Sequence, residues 1–159
     1  MSAEYGWAAN SVVEYELVLA NSSIIQVNKN NHPDIYKVLQ GGGNNYGIVT
    51  AYKVQVYQQG EVWGGNYVFN ATDGTNKALM KAVRDFTEYN EDEKAGIILT
   101  AVSAVGGLLD IWVMFLYYNG PEPPQGVFDN FTDIKPWVNN CKTRGYADLL
   151  SFNNWAVVK

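Results

Sequence analysis

The run Gly41-Gly42-Gly43-Asn44-Asn45-Tyr46-Gly47 leads directly into the β-branched segment Ile48-Val49-Thr50. Glycine lacks a Cβ and tolerates positive φ, so such a run lets backbone amides come close to a ligand. It serves equally as a tight joint between a helix and a strand, and the residues alone leave both readings open. A second candidate site lies on two strands. Residues 108–118 put Asp110, Trp112, Met114, Leu116 and Tyr118 on one face, and residues 61–70 set Trp63, Tyr67 and Phe69 opposite Val62, Asn66 and Val68. Tyr and Trp join a large apolar body to one polar handle, which suits an apolar ligand. Trp63, Tyr67, Phe69, Trp112, Met114 and Tyr118 are therefore candidate substrate-binding residues. Asp110, Tyr118 and Tyr67 are candidate catalytic groups that polarise a substrate by hydrogen bonding. The competing reading of the same faces is plain core or a dimer interface.

Stronger chemistry is missing from the sequence. No nucleophile–base pair, paired-carboxylate set or common phosphate loop stands out. His32, the one histidine, could act as a base near neutral pH, but it sits in Asn31-His32-Pro33-Asp34, where proline can open a helix. Cys141 is the one cysteine, so no internal disulfide forms and no Cys/His spacing points to a metal. With 11 Lys and Arg against 16 Asp and Glu, the net charge of −5 argues against nucleic-acid or anionic-membrane binding. No apolar stretch reaches the roughly 18 residues that span a bilayer. The polar start, Met1 to Trp7, has no signal-peptide pattern, so a cytoplasmic location is expected. Asn21-Ser22-Ser23, Asn70-Ala71-Thr72 and Asn130-Phe131-Thr132 match the glycosylation pattern, which means little without a secretion signal.

The elements that position these residues read as follows. Val12 to Ala20 is a strand with Val13, Tyr15, Leu17 and Leu19 on one face, and Ile24 to Val27 returns as a hairpin partner. Pro33 opens a short helix, with Ile35, Val38 and Leu39 on one side, which the triple glycine ends. Ile48 to Tyr57 alternates as a third strand. Gln58-Gln59-Gly60 is the joint between two pieces, 1–59 and 60–159, expected to pack as one unit. After it come a strand from Glu61 to Asn70 and a helix from Thr75 to Asn90, capped by Asp73 or Thr75, with a Leu79, Ala82, Val83, Phe86 stripe. Strands from Ala95 to Ala104 and Leu108 to Tyr118 meet at Gly106-Gly107. Val127 to Thr132 reads as a short helix, and residues 137–159 as irregular with a helical tendency. The order predicts an α+β fold with a mostly antiparallel sheet and helices on one face.

Around the glycine run the chain carries Tyr5-Gly6-Trp7-Ala8-Ala9-Asn10-Ser11-Val12-Val13, Tyr15-Glu16-Leu17-Val18-Leu19-Ala20-Asn21 and Asn31-His32-Pro33-Asp34-Ile35-Tyr36 upstream. Downstream it carries Val62-Trp63-Gly64-Gly65 and Phe115-Leu116-Tyr117-Tyr118-Asn119-Gly120-Pro121. In this order and spacing the series resembles the FAD-linked oxidases of the berberine bridge enzyme-like family, over nearly the whole chain and most specifically over residues 5 to 57. The resemblance implies that 1–59 is a remnant of the second half of an FAD-binding subdomain and 60–159 a remnant of the start of a substrate-binding domain. It also implies that Gly41, Gly42, Gly43, Asn44, Asn45 and Gly47 are vestigial cofactor-binding positions near a flavin's phosphates or adenosine edge, and that His32 falls in a helix-start loop rather than a catalytic one. Family members are much longer. Their first half carries a pyrophosphate loop and the residues that attach the flavin, and a later segment rich in Asn and Tyr lies against it; this chain is expected to lack all of these.

The resulting expectation is a cofactor-free, small-molecule-binding protein descended from a flavin oxidase. It would hold a hydrophobic substrate, as a homodimer, and catalyse a cyclisation, Diels–Alder-type addition or dehydration, without FAD or metal. The alternatives are a truncated or split FAD-dependent oxidoreductase that binds FAD only with a partner chain, and a non-catalytic dimeric interaction module.

Overall fold

The computed structural model describes residues 2–104 and 109–152. The Gly106-Gly107 turn, Leu108 and residues 153–159 lie outside them. The chain divides into two compact units, Ser2–Gln58 and Gln59–Lys159.

In the first unit a short helix α1 (Ser2–Tyr5) and a 3-10 turn (Ala8–Ser11) precede β1 (Val12–Val18), β2 (Ile24–Asn28), α2 (Pro33–Leu39) and β3 (Ile48–Val54). The strands form an antiparallel sheet in the order β2-β1-β3. Its apolar face carries Val12, Tyr15, Leu17 and Val27, and α2 packs there through the buried Tyr36. The Tyr36 hydroxyl donates to the Val12 carbonyl at 2.6 Å, which ties the helix to the strand. The other face is polar: Asn28 donates to Glu14 at 2.7 Å and Gln26 to Glu16 at 3.1 Å. One detail differs from simple alternation. A bulge between Val12 and Glu14 against β3 turns Val12 inward and leaves Val13 39% exposed.

The second unit is built on β4 (Glu61–Asn70), α3 (Asp73–Tyr89), β5 (Ala95–Ala104) and β6 (Leu109–Tyr118). Then follow α4 (Asp129–Thr132), β7 (Val138–Asn139), β8 (Lys142–Gly145) and α5 (Tyr146–Phe152). The sheet is antiparallel, in the order β5-β6-β4-β7, with β8 also paired to β4. The fold is thus α+β with mostly antiparallel pairing. α3 and α4 cover one face, where Tyr67, Phe69, Met114, Leu116 and Phe131 meet Leu79 and Ala82 of the helix stripe. Each such fully buried large side chain contributes on the order of 1.5–3 kcal/mol. The opposite face holds a smaller cluster of Val62, Tyr117 and Leu149, which brings α5 onto the sheet.

Two readings of the sequence are corrected. The short strands β7 and β8 lie within the tail expected to be irregular. β7 has only two residues, and Lys142-Thr143-Arg144-Gly145 is polar without alternation, so neither carries a strand pattern. The cap of α3 is Thr72 rather than Asp73 or Thr75: its hydroxyl accepts the Thr75 N–H at 3.2 Å. Thr72→Ala is expected to destabilise the protein by about 1 kcal/mol in denaturant unfolding, with Thr72→Ser close to wild type; equal stability of all three would reject the cap.

Candidate functional site

The glycine run does two things in the structure. It ends α2, with the Gly42 N–H donating to the Val38 carbonyl at 2.7 Å. A Cβ at Gly42 would sit 2.4 Å from that carbonyl oxygen, so no larger residue fits. At Gly47 the backbone has φ +144° and a Cβ would lie 2.5 Å from the Val18 carbonyl oxygen, so the chain can enter β3 here only as glycine. Beyond its turn-making role, the run walls one side of an open groove of about 970 Å³. Gly43, Asn44, Asn45, Tyr46 and Gly47 form that wall, Ala8, Ala9 and Leu39 line other parts, and Val12, Tyr15, Val49, Tyr52 and Val54 form the sheet floor. Gly41 and Gly42 do not line it. The volume falls in the range of small-molecule sites.

The groove is apolar because the sheet's apolar face is only partly covered. α2 covers the β1–β2 side of the sheet's apolar face, while Tyr52 and Val54 on β3 remain 63% and 49% exposed. Among the described residues no Lys or Arg lines the groove, and the glycine wall follows the C-terminal end of α2, where the helix carries partial negative charge. The arrangement suits a planar apolar group and does not suit a pyrophosphate.

The aromatic face, read as a substrate site or as plain core or a dimer interface, is buried. Tyr67, Phe69, Met114 and Tyr118 are buried, with Trp63 and Trp112 packed against them beneath α3 and α4. Trp63 stacks on Phe128 with ring centroids 5.4 Å apart, and the Trp112 indole donates to Asn76 of α3 at 2.7 Å. The Tyr67 hydroxyl is 3.2 Å from the Thr132 hydroxyl. Burial pushes the Tyr67 and Tyr118 hydroxyls above their ordinary range. This face is the one that α3 and α4 cover, and alternation distinguishes two faces of a strand without saying which a helix will cover. Asp110 is exposed, eight residues along β6 from Tyr118, so the catalytic candidates do not converge. His32 is exposed, in a left-handed conformation before α2. Among the described residues no cluster of His, Cys, Asp and Glu could hold a metal, and no helix is long and apolar enough to cross a membrane.

Sequence reasoning passed over Asn66. It lies on β4 on the face away from α3 and α4, 2% exposed, with neither side-chain polar atom hydrogen-bonded among the described residues. Its backbone is satisfied by Asn140, whose side-chain oxygen accepts the Asn66 N–H at 2.8 Å. An asparagine in a strand of apolar neighbours was the available signal. Nearby, burial pushes the Cys141 thiol up to about 12, partly opposed by Arg144.

The comparisons with known proteins fit this geometry. No family model matches the chain. A relative from Arthroderma benhamiae described as an uncharacterized FAD-linked oxidoreductase is 47% identical across 97% of this chain and 30% of its own length. Among solved structures, 6-hydroxy-D-nicotine oxidase from Arthrobacter nicotinovorans aligns with TM-score 0.80 and 16% identity, over 99% of this chain and 35% of that one. Berberine bridge enzyme aligns with TM-score 0.76 and 18% identity, over 96% of this chain and 31% of that one. The fold is therefore that of part of the berberine bridge enzyme-like proteins. The chain is similar to part of an FAD-linked oxidoreductase, and it spans about 30% of the length of the curated relative given above.

Two outcomes test the site chemistry. Asn66→Leu removes an unsatisfied buried amide and is expected to raise unfolding free energy by about 1 kcal/mol; a loss of that size would mean the amide is already satisfied. The raised Cys141 pKa predicts a pH effect. Below about pH 9, the ordinary value, the thiol keeps its proton folded or unfolded; between 9 and about 12 only the folded state keeps it. Stability should therefore fall as pH rises through that window, and less so in Cys141→Ala, as followed by denaturant midpoints.

Proposed function

We propose that this chain forms one wall of the flavin site of an FAD-dependent oxidoreductase, with its groove taking a planar apolar part of the cofactor. The rest of the cradle would come from polypeptide corresponding to the length of the relatives that this chain does not span. The observation that carries the reading is the glycine-walled groove over the Tyr15, Val49 and Tyr52 floor. When bound, FAD supplies the capacity to accept two electrons and a proton from a substrate. The residues of this chain would position and desolvate it: Tyr52 and Tyr15 by ring contact, Val12, Val49 and Val54 by excluding water, and Gly43 and Gly47 by letting backbone come close. With no cation lining the groove, the pyrophosphate would be held elsewhere.

A second reading has a specific observation in its favour. An apolar groove without an acid–base pair also suits a cofactor-free cyclisation, Diels–Alder-type addition or dehydration. There the gain comes from holding a reactive intermediate in near-attack geometry. It predicts tight retention of a polycyclic ligand in the absence of FAD.

Reconstitution separates the two. The chain is co-expressed with a polypeptide covering the rest of the Arthroderma benhamiae relative, and flavin absorption is read after desalting. The first reading predicts retained flavin in the complex, reduced about tenfold in affinity by Tyr52→Ala through loss of one aromatic contact. A complex that forms without flavin, or flavin retention indifferent to Tyr52, would contradict it.

A further inference from the structure

Four edge or near-edge strands of the two sheets carry features that block pairing with foreign strands. β2 is five residues long with polar Gln26 and Asn28; β3 carries Lys53 and two register shifts against β1; β7 is two residues long; β8 carries Lys142 and Arg144. Short length, bulges and charge are the usual protections of a sheet edge. β5 has none of them. It is ten residues long, Ala-Gly-Ile-Ile-Leu-Thr-Ala-Val-Ser-Ala, with no charge and no proline. Its register with β6 runs uninterrupted from Ala95 opposite Tyr118 to Ala104 opposite Leu109, and among the described residues β6 is its one ladder neighbour.

From this contrast we infer that the free edge of β5 is an interaction surface that pairs with β5 of a second copy of this chain, antiparallel and about a two-fold axis. Two observations favour a second copy. An uncharged strand meets itself without like-charge repulsion, which is the usual bar to self-pairing. The residues exposed on its face away from α3 include Ile98, at 57%, and Thr100. Centring the pairing on Leu99 sets Ile98 against Thr100 of the second copy and Thr100 against its Ile98. Both are β-branched contacts on one side of the sheet, repeated by symmetry as an isologous interface requires. The two five-stranded sheets then run on as one. No groove residue takes part, so this surface stands or falls apart from the flavin reading.

The test is solution mass by light scattering, with circular dichroism to follow the fold. The wild type is expected at twice the chain mass at micromolar concentration. Ile98→Lys with Thr100→Lys, and Ile98→Glu with Thr100→Glu, should each be monomeric with unchanged secondary structure, because both positions are exposed. Mixing the Lys and Glu forms should restore the double mass, which a mere folding defect could not do. Should either variant misfold, amide exchange of the wild type decides: residues 96–103 should gain protection as concentration rises. A monomeric wild type, even one that takes up a foreign strand, or a dimer in which those amides are unaffected by concentration, overturns the inference.

Discussion

The apolar face shared by β4 and β6 must be covered, and that requirement shapes the second unit. Tyr67 and Phe69 from one strand and Met114, Leu116 and Tyr118 from the other present a continuous aromatic and aliphatic surface. A surface of this kind is not left in contact with water when a helix with a matching stripe lies next in sequence. α3 provides the stripe through Leu79 and Ala82, and α4 closes the remaining side with Phe131. Once these side chains are committed to the core they cannot also line a ligand site, however well their chemistry suits one.

The first unit obeys the same rule incompletely, and the uncovered part is the proposed site. α2 is seven residues long and covers only the β1–β2 side of its sheet. β3 is left with apolar residues and little cover. The glycine run, forced by the close approaches at Gly42 and Gly47, borders the uncovered part and turns it into a groove rather than a flat surface. A chain that spans about 30% of the length of its FAD-linked relative thus presents a partly covered apolar groove of small-molecule size.

Most elements were legible because their signals are local. The hairpin, the proline-led α2, β4 and β5 follow from alternation, proline geometry and turn residues, and the glycine run marked the groove wall. Three features were not legible, each for a physical reason. Alternation in β4 and β6 separates two faces but does not say which one α3 covers, so Trp63, Tyr67, Phe69, Trp112, Met114 and Tyr118 were open to reading as a substrate site or as plain core or a dimer interface. β7 and β8 exist because β4 offers an edge to pair with, a long-range contact without a local pattern. The Val12 bulge depends on pairing with β3, some forty residues downstream, and no feature of Val12 or Val13 announces it.

On the proposed reading the groove of the first unit, and not the aromatic face of the second, is where this chain meets a cofactor. An amide chemical-shift titration of the isotopically labelled chain with FAD addresses it directly. The account predicts shifts clustered at Gly43 to Val49, Val12, Tyr15, Tyr52 and Val54, with residues of β4 and β6 unmoved. Shifts centred on β4 and β6 with the groove silent would contradict it.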